Sequence, residues 1–114
     1  MKDESCLFCK IVAGEIPASI IKKNDRITIF SDITPQAPTH LLVIPNQHFA
    51  TMAEVAKNDP TLVGEIFAVT DEIASEVGLT SYRTNINTGE GAGQSVFHAH
   101  LHLLGGRAFG WPPG

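Results

Sequence analysis

Apolar positions along the chain switch between a helical and an extended period. Leu7, Phe8, Ile11 and Val12 recur at helical spacing within Cys6–Ala13, and Gly14 is a natural stop. Ile16-Pro17-Ala18 turns the chain into a short extended segment, Ser19 to Ile21. From Arg26 to Ser31 the period becomes two: Ile27, Ile29 and Ser31 share one face, and Thr28 and Phe30 the other. That predicts a strand after the Asn24-Asp25 turn. Pro35 and Pro38 exclude regular pairing between Thr34 and Thr39. His40 to Ile44 is apolar and β-branched, a buried strand ended by Pro45.

Thr51 to Val55 predicts a short helical turn. Leu62, Ile66, Val69, Ile73 and Val77 then follow one side of a long amphipathic helix, with Asp59 as its cap, Pro60 in its first turn and Gly78 after its end. Tyr82 to Asn87 predicts a strand, Thr88 to Ser95 a glycine-rich loop, and Val96 to Leu104 a last strand broken by Gly105-Gly106. The tail from Arg107 is irregular and finishes Trp111-Pro112-Pro113-Gly114. The pattern gives about five strands with one long and one or two short helices. It lacks the strict alternation of a parallel sheet, so the reading is α+β with a mostly antiparallel sheet in a single domain, 1–114.

Composition narrows the function. At 43% apolar and 18% charged, 114 residues can bury one core. A net charge of -4 argues against a broad basic surface for a nucleic-acid polymer. A small phosphate ligand remains possible, because backbone N–H groups and imidazoles bind anions without global positive charge. No apolar run approaches the ~18 residues of a membrane span. The N-terminal segment lacks the apolar run of a secretory signal, which points to a cytoplasmic protein. There, Cys6 and Cys9 read as free thiols, a redox pair or metal ligands.

His98, His100 and His102 are the chain's most distinctive feature. At a spacing of two on a strand they share a face, and three buried imidazoles each need polar partners. Such a row suits either a zinc site or nucleophilic catalysis in which one imidazole attacks and its neighbours orient it. The loop Gly91-Ala92-Gly93-Gln94-Ser95 just before it puts small residues and a hydroxyl where backbone N–H groups can turn toward an anion, which favours a phosphate beside an imidazole.

His98-Ala99-His100-Leu101-His102-Leu103-Leu104 resembles the signature of the histidine-triad family of nucleotide-binding enzymes. Asp32 to Pro45 looks like the family's second signature, and Asn87 with Gly93-Gln94-Ser95-Val96 like its phosphate-side loop. Gly105-Gly106-Arg107 and the Trp111-Pro112-Pro113-Gly114 ending resemble its nucleotide-binding (HINT) branch. The resemblance implies a five-stranded antiparallel sheet, pairing into a homodimer with a ten-stranded sheet. It implies hydrolysis of purine nucleoside phosphoramidates through a nucleotidyl-histidine intermediate. Carried over by position, His100 attacks the α-phosphate, His102 contacts a phosphate oxygen, and His40 bonds the nucleophile's other ring nitrogen or its support network. Asn87, Gln94, Ser95 and the Val96 N–H hold phosphate oxygens, and Gly93 shapes their loop. Asp32 accepts from the ribose, and Phe8, Phe30, Ile33 and Leu42 line the base pocket. The tail with Trp111 reaches the partner's active site.

Catalysis on this reading needs no cofactor. Cys6 and Cys9 stand one helical turn apart, close enough for one ion, but need two more ligands. Relatives with this Cys-x-x-Cys imply a structural zinc on Cys6, Cys9, His48 and His98, a role that competes with direct catalytic hydrogen bonding by His98. Three other functions stay open. These are a dinucleoside polyphosphate hydrolase of the same fold, a nucleotide-binding interaction module, and a metal-dependent hydrolase with zinc on all three triad histidines.

Overall fold

Every strand of the sheet runs antiparallel to its neighbours. The computed structural model describes residues 3–114. In chain order the elements are α1 (Leu7–Val12), β1 (Ile20–Lys23), β2 (Ile27–Ser31), β3 (Thr39–Pro45), α2 (Met52–Asn58), α3 (Pro60–Glu76), β4 (Arg83–Asn85) and β5 (Leu101–Gly105). The strands form one five-stranded sheet in the order β1-β2-β3-β5-β4. The α+β expectation holds. Among the described residues no helix is long and apolar enough to cross a membrane.

Alternation on the central strands divides the apolar residues between two clusters, one on each face. Ile27, Ile29, Leu41, Val43, Leu101 and Leu103 pack with Leu62, Ile66, Val69 and Ile73 of α3 and with Met52 and Val55 of α2. The intervening Phe30, Leu42 and Ile44 pack with Phe8 and Ile11 of the short α1. Helix α3 starts as its sequence dictates: Pro60 occupies the first turn, and the Asp59 side chain accepts from the Leu62 N–H.

Helix α2 runs on to Asn58 and β1 to Lys23, and three further boundaries differ from expectation. Val77 caps α3 and is 43% exposed instead of continuing its buried stripe. Strand β4 is limited to Arg83–Asn85. The last strand begins at Leu101, not Val96, so His98 and His100 precede it. The segment before β5 takes its bonds outside any ladder: the Ala99 N–H goes to the Phe49 carbonyl at 2.7 Å, and the rings of His98 and His100 bond backbone carbonyls.

Candidate active site

Strands β3 and β5 set the first pair of histidines. Leu42 lies opposite His102 and His40 opposite Leu104, so His40 and His102 are diagonal neighbours on one sheet face. Their rings bond directly, His40 Nε2 to His102 Nδ1, at 2.9 Å. The sequence reading allowed His40 to support either the nucleophile or its network. It bonds His102 and not His100, whose Nδ1 is occupied by the His98 carbonyl at 2.7 Å.

Obligate partners assign the tautomers of four rings, those of buried His40, His98 and His100 and of half-buried His102. The Gln36 N–H can only donate, so His40 Nδ1 accepts at 3.0 Å and the proton sits on His40 Nε2. That proton is donated to His102 Nδ1, which leaves His102 with Nε2–H. The His98 carbonyl can only accept, so His100 carries Nδ1–H and has its lone pair on Nε2. The Pro45 carbonyl accepts at 2.7 Å from His98 Nε2–H, leaving the His98 lone pair on Nδ1. Burial keeps these rings neutral by disfavouring the imidazolium: it lowers the pKa values of His40 and His100, and pushes those of His98 and His102 down to about 4. Asp32 Oδ2, 3.4 Å from His40 Nε2, opposes the shift without overcoming the loss of water.

His100 and His102 form part of the wall of a cavity of about 290 Å³, next to each other with ring centroids 4.9 Å apart. Of the residues expected to bind nucleotide, Phe8, Phe30, Asp32, Ile33, Leu42, Ser95 and Val96 line the same cavity. Phe8 meets Phe30 edge-on at 5.3 Å and His100 at 5.2 Å. One part of the wall is therefore apolar, while Asp32, Ser95 and the two imidazoles supply polar groups. Ser95 brings an exposed hydroxyl to this wall. A wider crevice of about 490 Å³ lies beside Gln47, Phe49 and Glu54, and of the expected site residues it touches only His48.

Four of the residues expected to bind nucleotide lie outside the wall of the cavity that holds His100 and His102. Gln94 is 2% exposed, and its amide is taken up by backbone: Oε1 accepts from Gly89 N–H, and Nε2 donates to the carbonyls of Ala50 and Val96. These bonds brace the loop. Asn87 and Gly93 contact each other outside the cavity wall, with Asn87 Nδ2 donating to the Gly93 carbonyl at 3.4 Å. Gly93 has φ +96°, a conformation that L side chains rarely adopt. Trp111 is 84% exposed and does not line the cavity of its own chain. In return, Leu7, Ile11, Ile16, Pro17, Ala18 and Ser31 join the wall. Ile11 lies on the face of α1 that carries Phe8, which the helical period could have shown. Nothing in the sequence marks Ile16 to Ala18.

The two cysteines meet two histidines on the other side of His98. Cys6 caps α1, its sulfur accepting from the Cys9 N–H. His98 Nδ1 lies 3.3 Å from Cys6 Sγ and 3.5 Å from Cys9 Sγ, and His48 Nδ1 lies 3.4 Å from Cys9 Sγ. One donor atom from each of Cys6, Cys9, His48 and His98 falls within a group 4.8 Å across. A tetrahedral zinc holds its sulfur and nitrogen ligands about 3.5 Å apart, so the set fits that ion. His98 Nδ1 carries the lone pair this requires, and its Nε2–H is oriented by Pro45. Asp3, which the sequence reading did not single out, places Oδ2 3.9 Å from the remaining nitrogen of His48. A second group, Asp32, His40 and His102, is equally close, but its two ring nitrogens share one proton in a hydrogen bond. Freeing His40 Nε2 for a metal would move that proton to Nδ1, against the Gln36 N–H.

The chain is similar to known proteins along nearly its whole length. A family model described as "Scavenger mRNA decapping enzyme C-term binding" matches residues 5–108. A purine nucleoside phosphoramidase of Escherichia coli K12 is 42% identical over 109 residues, 94% of this chain and 92% of that protein. An uncharacterised HIT-like protein of Synechococcus elongatus is 47% identical over 97% of this chain and 98% of its own. Among solved structures, a HIT family hydrolase from Legionella pneumophila superposes with a TM-score of 0.92 at 50% identity, covering 96% of this chain and 99% of that one.

Proposed function

Because the chain belongs to the histidine-triad (HIT) family, we propose that it hydrolyses the P–N bond of purine nucleoside phosphoramidates, with His100 Nε2 as nucleophile. The observation that carries this reading is the tautomer of His100. Its Nδ1–H is committed to the His98 carbonyl, so the reactive lone pair sits on Nε2 of a neutral ring in the cavity wall. His102, with Nε2–H, offers a donor beside it.

In the first step His100 Nε2 forms a bond to phosphorus, the P–N bond to the leaving amine breaks, and the amine departs with a proton taken from solvent. In the second, water attacks the same phosphorus and gives up its proton to solvent, the bond to His100 breaks, and a nucleoside monophosphate is released. His102 Nε2–H, the Ser95 hydroxyl and the Val96 N–H stabilise the charge that builds on the phosphoryl oxygens. Asp32 accepts from the ribose, and Phe8, Phe30 and Leu42 enclose the base. The Escherichia coli relative, named as a purine nucleoside phosphoramidase, supports this substrate class.

Cys6, Cys9, His48 and His98 would hold a structural zinc, which supplies a cross-link between α1 and the segment before β5 and takes no part in the steps above. Both cysteines are free thiols, consistent with a reducing cytoplasm. The sheet has open edges at β1 and β4, and pairing across one of them in a second copy would make the ten-stranded homodimer.

A steady-state panel of adenosine and guanosine phosphoramidates against diadenosine polyphosphates tests the reading, with His100→Ala as control. Faster cleavage of the phosphoramidates supports it. Preferential cleavage of the polyphosphates would move the chain to the other hydrolase class, and binding without turnover of either would leave an interaction module.

A further inference from the structure

The loop between β2 and β3 holds the His40 lone pair, and a side chain from beyond β5 holds that loop. Gln36 occupies the midpoint of this arrangement. Its N–H donates to His40 Nδ1 at 3.0 Å, and its carbonyl accepts from Arg107 Nε at 3.0 Å. Arg107 is itself fixed. Its guanidinium lies 4.2 Å from the centre of the Phe109 ring, and Nη1 donates to the Ala108 carbonyl. Beneath it, Gly106 passes so close to Pro38 that a Cβ there would stand 2.9 Å from the Pro38 Cβ.

We propose that Arg107 is a positioning residue for catalysis: by holding Gln36 it fixes the protonated nitrogen of His40 and, through His40, of His102. This rests on the reading that His102 faces a nucleotide phosphate. The chain of bonds runs Arg107, Gln36, His40, His102, and each link sets the next. If Gln36 swings away, Asp32 Oδ2, 3.4 Å from His40 Nε2, is left to favour the proton on that nitrogen; the Nδ1–H form then gains population, and in it His40 Nε2 is an acceptor. His102 Nδ1 must then donate, which strips the proton from His102 Nε2. A lone pair then replaces a donor beside the phosphate oxygens. His100 is outside this chain, because its Nδ1–H is bound to the His98 carbonyl.

Nitrogen NMR of the labelled histidine rings reads this directly at neutral pH in the full chain. Wild type should show Nε2–H for His40 and His102 and Nδ1–H for His100. Arg107→Ala should add the opposite tautomer at His40 and His102 only, and lower kcat about tenfold, the loss of roughly one hydrogen bond. Arg107→Lys, which keeps a cationic donor, should restore part of both. If Arg107→Ala does not fold, Gln36→Pro deletes the amide donor itself and carries the same expectation for the two rings. Unchanged tautomers at His40 and His102 in a folded variant would overturn the proposal. So would equal changes at His40, His98, His100 and His102, the mark of general loosening. A wild-type chain that turns over no phosphoramidate would defeat the proposed substrate but leave the NMR result readable.

Discussion

Replacing Phe8 by alanine should cost both stability and nucleotide affinity, because one ring belongs to a core and to a cavity wall. Phe8 is 5% exposed and packs with Ile11, Phe30, Leu42 and Ile44. Truncating a buried phenylalanine costs 3–5 kcal/mol in general. Part of this ring already borders a cavity of about 290 Å³, which places the expected loss near the lower end, about 3 kcal/mol. For a domain of this size that corresponds to a fall in Tm of about 12 °C. Affinity for AMP should fall about tenfold as the aromatic wall and its edge contact with His100 disappear. Phe8→Leu separates the two effects: it keeps most of the volume and should cost about 1 kcal/mol, yet lose most of the affinity. Thermal unfolding and calorimetric titration with AMP read both quantities. A Phe8→Ala chain that melts within about 3 °C of wild type would refute the core argument. Undiminished AMP binding in Phe8→Leu would refute the ring's role in the pocket.

Metal analysis of protein purified without chelator or histidine tag should find about one zinc per chain, falling in Cys9→Ser; less than about 0.2 per wild-type chain would contradict the assigned ligand set. Stability should decline on acidification. The His102 pKa is pushed down to about 4 in the fold, below the ~6.5 of an unfolded chain, so the unfolded state binds more protons between these values. Its contribution is intact above about pH 6.5 and is lost as pH falls toward about 4; His102→Asn should flatten the slope of urea-unfolding free energy against pH over that window. Gly106→Ala should destabilise by about 1–3 kcal/mol, since Gly106 has φ +89° and its Cβ would press on Pro38; an unchanged urea midpoint would refute this.

Most of the scaffold was legible because single residues announced it. Asp59 and Pro60 start α3, Pro45 closes β3, and Gly14, with φ +77°, follows α1. The extra strand length expected from Val96 failed for a physical reason. Alternating apolar residues suit a strand, but here the backbone and imidazole groups find carbonyl partners that no period reveals. Residue types located the histidines and cysteines, yet the partner of His40 depends on the register between β3 and β5, which lie far apart in the chain. The backbone partners of Gln94 were not legible, because an amide suits a phosphate and a backbone brace equally well. The role of Gln36 was invisible, since its backbone and not its side chain bonds His40.

A nucleophilic His100 must become covalently bonded to the nucleotide during turnover. Mixing enzyme with adenosine 5′-phosphoramidate, quenching within the first turnover and mapping the digested chain by mass spectrometry tests it most directly. An adenylyl group should appear on the peptide carrying His100, localised to that ring and absent in His100→Ala. Turnover at full rate in His100→Ala, or an adenylyl group on a different residue, would contradict it.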